Sequence, residues 1–203
     1  RYTDHRRGIG WPLNMMMDAW QATGDQTYLS AATRQWRRLR KHLDPGKGWV
    51  IKLAYGHCNE PSDAGRCRGQ NAYMLALTLS SLARYHQATG DPEVLAGLTA
   101  GIDQLIRECW DEKNQSFYLT SCTHARSNPP PKHCSATCLI ALAFAHEYAQ
   151  TGNKEHRRIF RAALKTTLQA GLELLPTDNL KNQMGYGSMM FLFTPHGLPL
   201  LED

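Results

Sequence analysis

Gln21-Ala22-Thr23-Gly24-Asp25, Gln87-Ala88-Thr89-Gly90-Asp91 and Gln150-Thr151-Gly152-Asn153 are three versions of one corner, recurring at offsets of 66 and 62 residues. In each, a glycine suits the left-handed end of one helix. The Asp or Asn after it offers a side-chain oxygen to the first amides of the next helix. The implied unit is a helix, a tight turn and a second helix, three times over.

The segments on either side of the corner differ in character. Before it lie Trp11 to Ala22, with Met15, Met16 and Met17, then Ala72 to Tyr85 and Ala136 to Tyr148. These are apolar almost all round, as helices buried on most faces are. After it come amphipathic segments: Tyr28, Ala32, Trp36, Leu39 and Leu43; Val94, Leu98, Ile102, Leu105 and Cys109; Ile159, Ala163, Thr167 and Gly171. Their three- and four-residue spacing describes one buried stripe and one wet face. A fourth apolar helix is expected to begin near Gly187 with Ser188-Met189-Met190-Phe191-Leu192-Phe193, cut short by Pro195 and Pro199. No strand pattern is sustained, although Gly48-Trp49-Val50-Ile51 and Ser116-Phe117-Tyr118-Leu119 read as short extended pieces within loops.

Inner helix, tight turn, outer helix and long loop make the unit of an α/α toroid. The fold class read from this pattern is all-α, with about three and a half antiparallel hairpins in a single domain over 1–203. Tetratricopeptide and armadillo pairs repeat at shorter periods, roughly 34 to 47 residues. A closed ring of six such hairpins would need roughly twice this length, because stacked repeats bury a core only against their neighbours. The chain is therefore expected to lean on the remainder of a toroid, another domain or a second subunit. Its first residue, an Arg just before a motif, points to a fragment or mature piece.

With 42% hydrophobic and 20% charged residues the chain can bury a core. Its net charge of +5 is spread along the sequence, and the cluster from Arg34 to Lys41 falls on a helix as solvated surface, which argues against a nucleic-acid partner. No run of 18 apolar residues exists, so no membrane helix is expected. The cysteines stand at 58, 67, 109, 122, 134 and 138. Cys58 with Cys67 and Cys122 with Cys134 are plausible disulfide staples, which favours a secreted or periplasmic protein. No metal or other cofactor is expected. His57-Cys58, His124, His133-Cys134 and Cys138 offer ligand types, but no CxxC pair or zinc-finger spacing occurs.

If every hairpin points the same way, the tight corners share one rim and the long connections the other. Those connections are about Asp44 to Arg66, Trp110 to Lys132 and Pro176 to Tyr186, and loops of this length in a compact domain commonly carry function. They lead into the positive N-terminal ends of the inner helices, where an anion is favoured. Candidate acids and bases there are Asp4, His57, Glu60, Asp63 and His124. Candidate substrate-binding residues are His5, Arg7, Trp11, Tyr55, Arg66, Arg68, Gln70, Tyr73 and Tyr186, with Arg126, His133, Asn182 and Gln183 beside them. Planar aromatic faces and bidentate Arg groups grip sugars and pair with carboxylates, so an acidic glycan is the expected ligand.

Arg7-Gly8-Ile9-Gly10-Trp11 resembles the Arg-Gly-x-Gly-Trp that opens an inner helix in unsaturated glucuronyl and rhamnogalacturonyl hydrolases. Arg68-Gly69-Gln70-Asn71-Ala72 is similar to their Arg-Gly-Gln variant. The resemblance implies a six-hairpin toroid that cleaves the unsaturated uronic acid left by polysaccharide lyases, with Arg7 and Trp11 touching substrate; the family's catalytic Asp has no match in the chain. The expected function is a glycoside hydrolase acting on uronate-containing saccharides. The alternatives are a polysaccharide lyase, with Arg7 or Arg68 neutralising the uronate and His57, His124, Tyr55 or Tyr73 as base, a non-catalytic binding scaffold, or a sugar isomerase.

Overall fold

A computed structural model of the chain describes residues 7–44, 46–53, 57–62, 65–125, 129–130 and 135–174, with backbone alone at 7–9, 135–136 and 171–174. Within it the three corners close by the same bonds. Gly24, Gly90 and Gly152 are left-handed, with φ of 70°, 64° and 69°. Their N–H groups reach back to the carbonyls of Trp20, His86 and Tyr148 at 2.7, 2.8 and 2.8 Å. Asp25 and Asp91 then cap the following helices by accepting from Thr27 and Glu93 N–H at 2.8 and 2.9 Å, while Asn153 accepts from Glu155 and His156 at 3.2 Å. The threonine before each glycine completes the corner. Thr23, Thr89 and Thr151 donate to the carbonyls of Ala19, Tyr85 and Glu147 and accept from the N–H of Asp25, Asp91 and Asn153.

The elements in chain order are α1 (Arg7–Thr23), α2 (Gln26–Arg40), β1 (Ile51–Lys52), β2 (Arg68–Gly69), α3 (Ala72–Thr89), α4 (Pro92–Cys109), β3 (Trp110–Asp111), β4 (Ser116–Phe117), α5 (Ser135–Leu139), α6 (Ala141–Thr151) and α7 (Lys154–Leu174). The inner helices α1, α3 and α5–α6 run parallel, because their contacts advance in the same direction. Ser81 donates to Gly10 O at 3.1 Å and Arg84 to Asn14 and Asp18 at 2.6 and 2.5 Å. Farther round, Ser80 bonds Leu139 O, and His86 lies 2.7 Å from His146. Parallel inner helices put all three corners at one end and the described long connections at the other.

Helix α3, in the middle, is buried from Ala72 to His86 except at Tyr73 and Arg84. Helices α2, α4 and α7 clad the inner ones along their apolar stripes: Ala32, Trp36 and Leu39; Val94, Leu98, Ile102, Leu105 and Cys109; Ile159, Ala163 and Thr167 are all buried. Tyr28, expected in the first stripe, is 39% exposed. Helix α1 also departs from expectation. Its Leu13 and Met17 are fully buried, but Trp11 is 41% and Met15 66% exposed, and among the described residues α3 is the inner helix packed against α1. The third inner helix is interrupted at Ile140, where the Ser80 hydroxyl takes up the Leu139 carbonyl.

The extended pieces form two antiparallel two-residue ladders, β1 with β2 and β3 with β4. Trp49, just before β1, is a core residue. Gln104 accepts from its N–H at 2.7 Å and donates to its carbonyl at 3.1 Å, and its indole N–H reaches Leu39 O at 3.1 Å. No helix among the described residues is long and apolar enough to cross a membrane. The expected fourth inner helix at 188–193 lies outside the described residues.

Candidate functional site

The rim opposite the corners is built from two connections sewn together at the start of α3. The first folds back on itself through Ile51↔Gly69 and Lys52↔Arg68. The second is joined to it where Asn71 bridges Thr120, with Ala72 N–H to Leu119 O and Ser121 N–H to Gln70 O at 2.9 Å each. The Ser121 hydroxyl accepts from Gln70 N–H at 2.8 Å, and Thr120 donates to His57 O at 3.0 Å. Gly69 is required by this closeness, as a Cβ there would strike the Ser121 hydroxyl.

His57 and Asn71 meet at the start of α3. The Asn71 carbonyl oxygen accepts from Met74 N–H at 3.0 Å and so caps α3. That bond turns the amide nitrogen toward His57 Nδ1, 2.9 Å away. The same amide nitrogen is 3.5 Å from Nε2, and a neutral ring that accepts it at Nδ1 carries its proton on Nε2. Half-buried Glu60 lies over Gly65, where a Cβ would meet the Glu60 Cγ at 2.8 Å. Arg66 and Tyr73 are half-buried, and Arg68 and His124 are exposed. Gln70 is fully buried, with neither amide atom hydrogen-bonded among the described residues. Asp4, His5, Tyr55, Asp63, Arg126, His133, Asn182, Gln183 and Tyr186 lie outside the described residues, as do Cys134 and the side chain of Arg7. Exposed Trp11 is held on α1 rather than by the sewn connections.

The disulfide expectation is corrected beside His57. Cys58, Cys67 and Cys122 are free thiols, and their sulfurs and a His124 ring nitrogen all lie within 4.8 Å of one another. The Cys67 N–H donates to Cys58 Sγ at 3.4 Å, and Cys67 Sγ and Cys122 Sγ approach His124 Nδ1 to 3.5 and 3.9 Å. Hydrogen bonds from the backbone N–H groups of Cys67 and then Glu60 lower the Cys58 thiol to about 6. The neighbouring Cys122 sulfur, followed by burial, raises Cys67 to about 11. With thiols in place of staples, the cysteine argument for export no longer applies. A pocket of about 500 Å³ opens elsewhere, on α7 among Lys154, Arg157, Arg158, Arg161 and Lys165, and shares no residue with this rim.

Two solved structures superpose on this architecture. Both are family 76 glycoside hydrolases of Bacteroides thetaiotaomicron. One, described as an α-mannanase, has a TM-score of 0.60 and 15% identity over 79% of this chain. The other, described as a mannosidase, has 0.58 and 17% over 78%. The fold is an α/α toroid arc. This toroid segment spans 43% and 42% of those two chains. No family model and no curated protein matches the sequence.

The sequence named His57, Glu60, Arg66, Arg68, Gln70, Tyr73 and His124, and all but Tyr73, in the first turn of α3, belong to the sewn connections. It missed Asn71 as the group that orients His57, although an Asn just before a helical run signals a cap. It also missed the convergence of three cysteines, which no local spacing announces.

Proposed function

We propose that this chain is part of a glycan-active α/α toroid of glycoside hydrolase type, with its substrate bound at the sewn rim. The observation that carries this reading is the joining of two long connections over the start of α3, which gathers His57, Glu60, Arg66, Arg68 and Tyr73 at one end of the inner helices. The likeness to glycoside hydrolase folds supports it. Lys52, Arg66 and Arg68 outnumber Glu60 among the fixed charges there, which favours an acidic oligosaccharide over a neutral one. The Arg7 to Trp11 motif extends this to unsaturated uronyl saccharides.

Glu60 is proposed as one of the two carboxyl groups that glycoside hydrolysis uses, with Asp4 or Asp63 as its counterpart. His57 would hold a substrate oxygen or protonate a leaving group. Polysaccharide degradation fits an extracytoplasmic site of action. Residues 1–203 are read as a single toroid domain or part of a larger ring, with exposed Trp11 and Met15 of α1 as a seat for further hairpins.

The test is an incubation of the protein with unsaturated uronyl oligosaccharides and, in parallel, with α-mannan, with products separated chromatographically. Turnover of the acidic substrates that Glu60→Gln abolishes is the expected result. Turnover of mannan alone would move the reading to a neutral glycan, and new ultraviolet absorbance from an unsaturated product would move it to a lyase. Binding without turnover would leave a scaffold.

A further inference from the structure

Cys58 and Cys122 are almost wholly buried, Cys67 is half-buried and His124 is exposed. Cys58 and Cys122 sit with Leu53 in a satellite cluster, flanked by Ile51, Cys67 and Ala125, away from the main core. Three thiols packed together with an imidazole nitrogen are not explained by apolar burial, because Leu53 is the cluster's one fully buried aliphatic residue. The separations match a metal instead. A tetrahedral zinc with Zn–S of about 2.3 Å and Zn–N of about 2.0–2.1 Å places its sulfurs roughly 3.8 Å apart and sulfur and nitrogen roughly 3.6 Å apart. The sulfur-to-His124 distances here are 3.5 and 3.9 Å, and no pair of the four atoms exceeds 4.8 Å.

We propose that Cys58, Cys67, Cys122 and His124 form a closed Cys₃His site for a zinc ion, which clamps the first long connection to the second. Two ligands come from each connection, so the ion ties together segments about as far apart in sequence as a hairpin repeat. Four protein ligands leave no open coordination position, which makes the ion structural rather than catalytic. The N–H of Cys67 aimed at the Cys58 sulfur is the kind of outer contact that stabilises a bound thiolate. Where the local core is this small, ion binding adds directly to folding free energy. The clamp lies one residue from His57 and one from Arg68, so it fixes the rim whatever ligand that rim takes.

Metal content is measured by elemental mass spectrometry on the whole chain purified with thiol reductant and without chelator, alongside non-reducing thiol counting. One zinc per chain is expected. Replacement by Co²⁺ should give the visible absorption of a tetrahedral thiolate site. Cys122→Ser should lose stoichiometric metal, and exposed His124→Ala should lose tight binding while keeping the helical circular dichroism, which guards against a simple folding failure. Cys138→Ser, outside the cluster, should keep the ion. Folded protein with all thiols free and no metal, a Cys58–Cys67 disulfide in place of the ion, or full metal retention by Cys122→Ser and His124→Ala would each overturn the proposal. None of these readouts depends on turnover, so the clamp and the glycan reading fail separately.

Discussion

Asn71 holds His57 through its amide nitrogen, 2.9 Å from Nδ1, while its oxygen caps α3 at Met74 N–H, 3.0 Å away. One side chain thus joins the start of an inner helix to the half-buried imidazole of His57. Asn71→Ala removes both contacts and should cost about 1 kcal/mol, the ordinary worth of an N-cap. Asn71→Asp keeps the cap but sets an acceptor against Nδ1. The ring must then donate from Nδ1, which turns Nε2 from donor into acceptor. Denaturation should show Asn71→Asp closer to wild type in stability than Asn71→Ala, and nitrogen NMR should show the tautomer reversed in Asn71→Asp. An unchanged tautomer would remove Asn71 from its positioning role.

Two glycines separate backbone strain from crowding. Around Gly90 an added Cβ would meet nothing within 4 Å, yet its φ is 64°, so Gly90→Ala carries only the left-handed penalty of roughly 1–2 kcal/mol. Gly101 is in ordinary helix, but a Cβ there would press on Leu79 and come within 2.8 Å of Trp49 Cζ3. Overpacking of that kind costs about 1–3 kcal/mol and falls on the core. Gly90→Asn should recover most of the first loss, because Asn tolerates the left-handed region; no small side chain should recover the second. Thermal unfolding of the three variants decides it.

The corners were legible because their chemistry is local: three consecutive residues supply the threonine brace, the helix end and the cap. The inner and outer roles of the helices followed from periodicity, which α3 and α4 obey residue by residue. Position in the arc was not legible. Met15 belongs to an apolar run, but whether it is covered depends on which hairpin ends the segment. The break at Ile140 has the same character, since it leans on Ser80, 60 residues earlier in a different helix. At the candidate site, residue types drew attention to the long connections, yet the pairing of Cys58 and Cys67 with Cys122 and His124 is created by the Asn71–Thr120 bridge. A search for CxxC spacing has no means of finding ligands delivered by two loops.

Buried histidines between the inner and outer helices should give the stability curve two opposed arms. His156 lies 2.9 Å from Asp103 and 3.2 Å from the fully buried Glu147. Burial pulls its pKa down, but Glu147 and Asp103 outweigh burial and the net shift is upward. A raised group stabilises the fold fully below its unfolded value, about 6.5, and that contribution is lost as pH rises through the folded value. His146 is shifted down, by burial first and then by His86, so its contribution is present above about 6.5 and lost as pH falls through the folded value. His156→Gln should flatten the alkaline arm and His146→Gln the acid arm in denaturation midpoints followed from pH 5 to 9. If the arms exchange, or neither variant alters them, the pairing of His156 with the two carboxylates does not operate in solution.

Trp49 connects core stability to the rim most directly. It is 2% exposed, it precedes the β1 strand that turns the first connection back toward Arg68, and Gln104 satisfies both of its backbone polar groups. Trp49→Ala should cost about 3–5 kcal/mol through the cavity left between α2 and α4. Gln104→Leu keeps the volume but strands a buried N–H and carbonyl, for roughly 1–3 kcal/mol each. The two losses should also differ in where they act. The cavity weakens the helical core as a whole, whereas the stranded backbone releases residues 49–53 locally. Hydrogen exchange should therefore rise throughout α2 and α4 in Trp49→Ala but mainly in the first connection in Gln104→Leu. Equal, global acceleration in both would mean that the first connection has no anchor separate from the core.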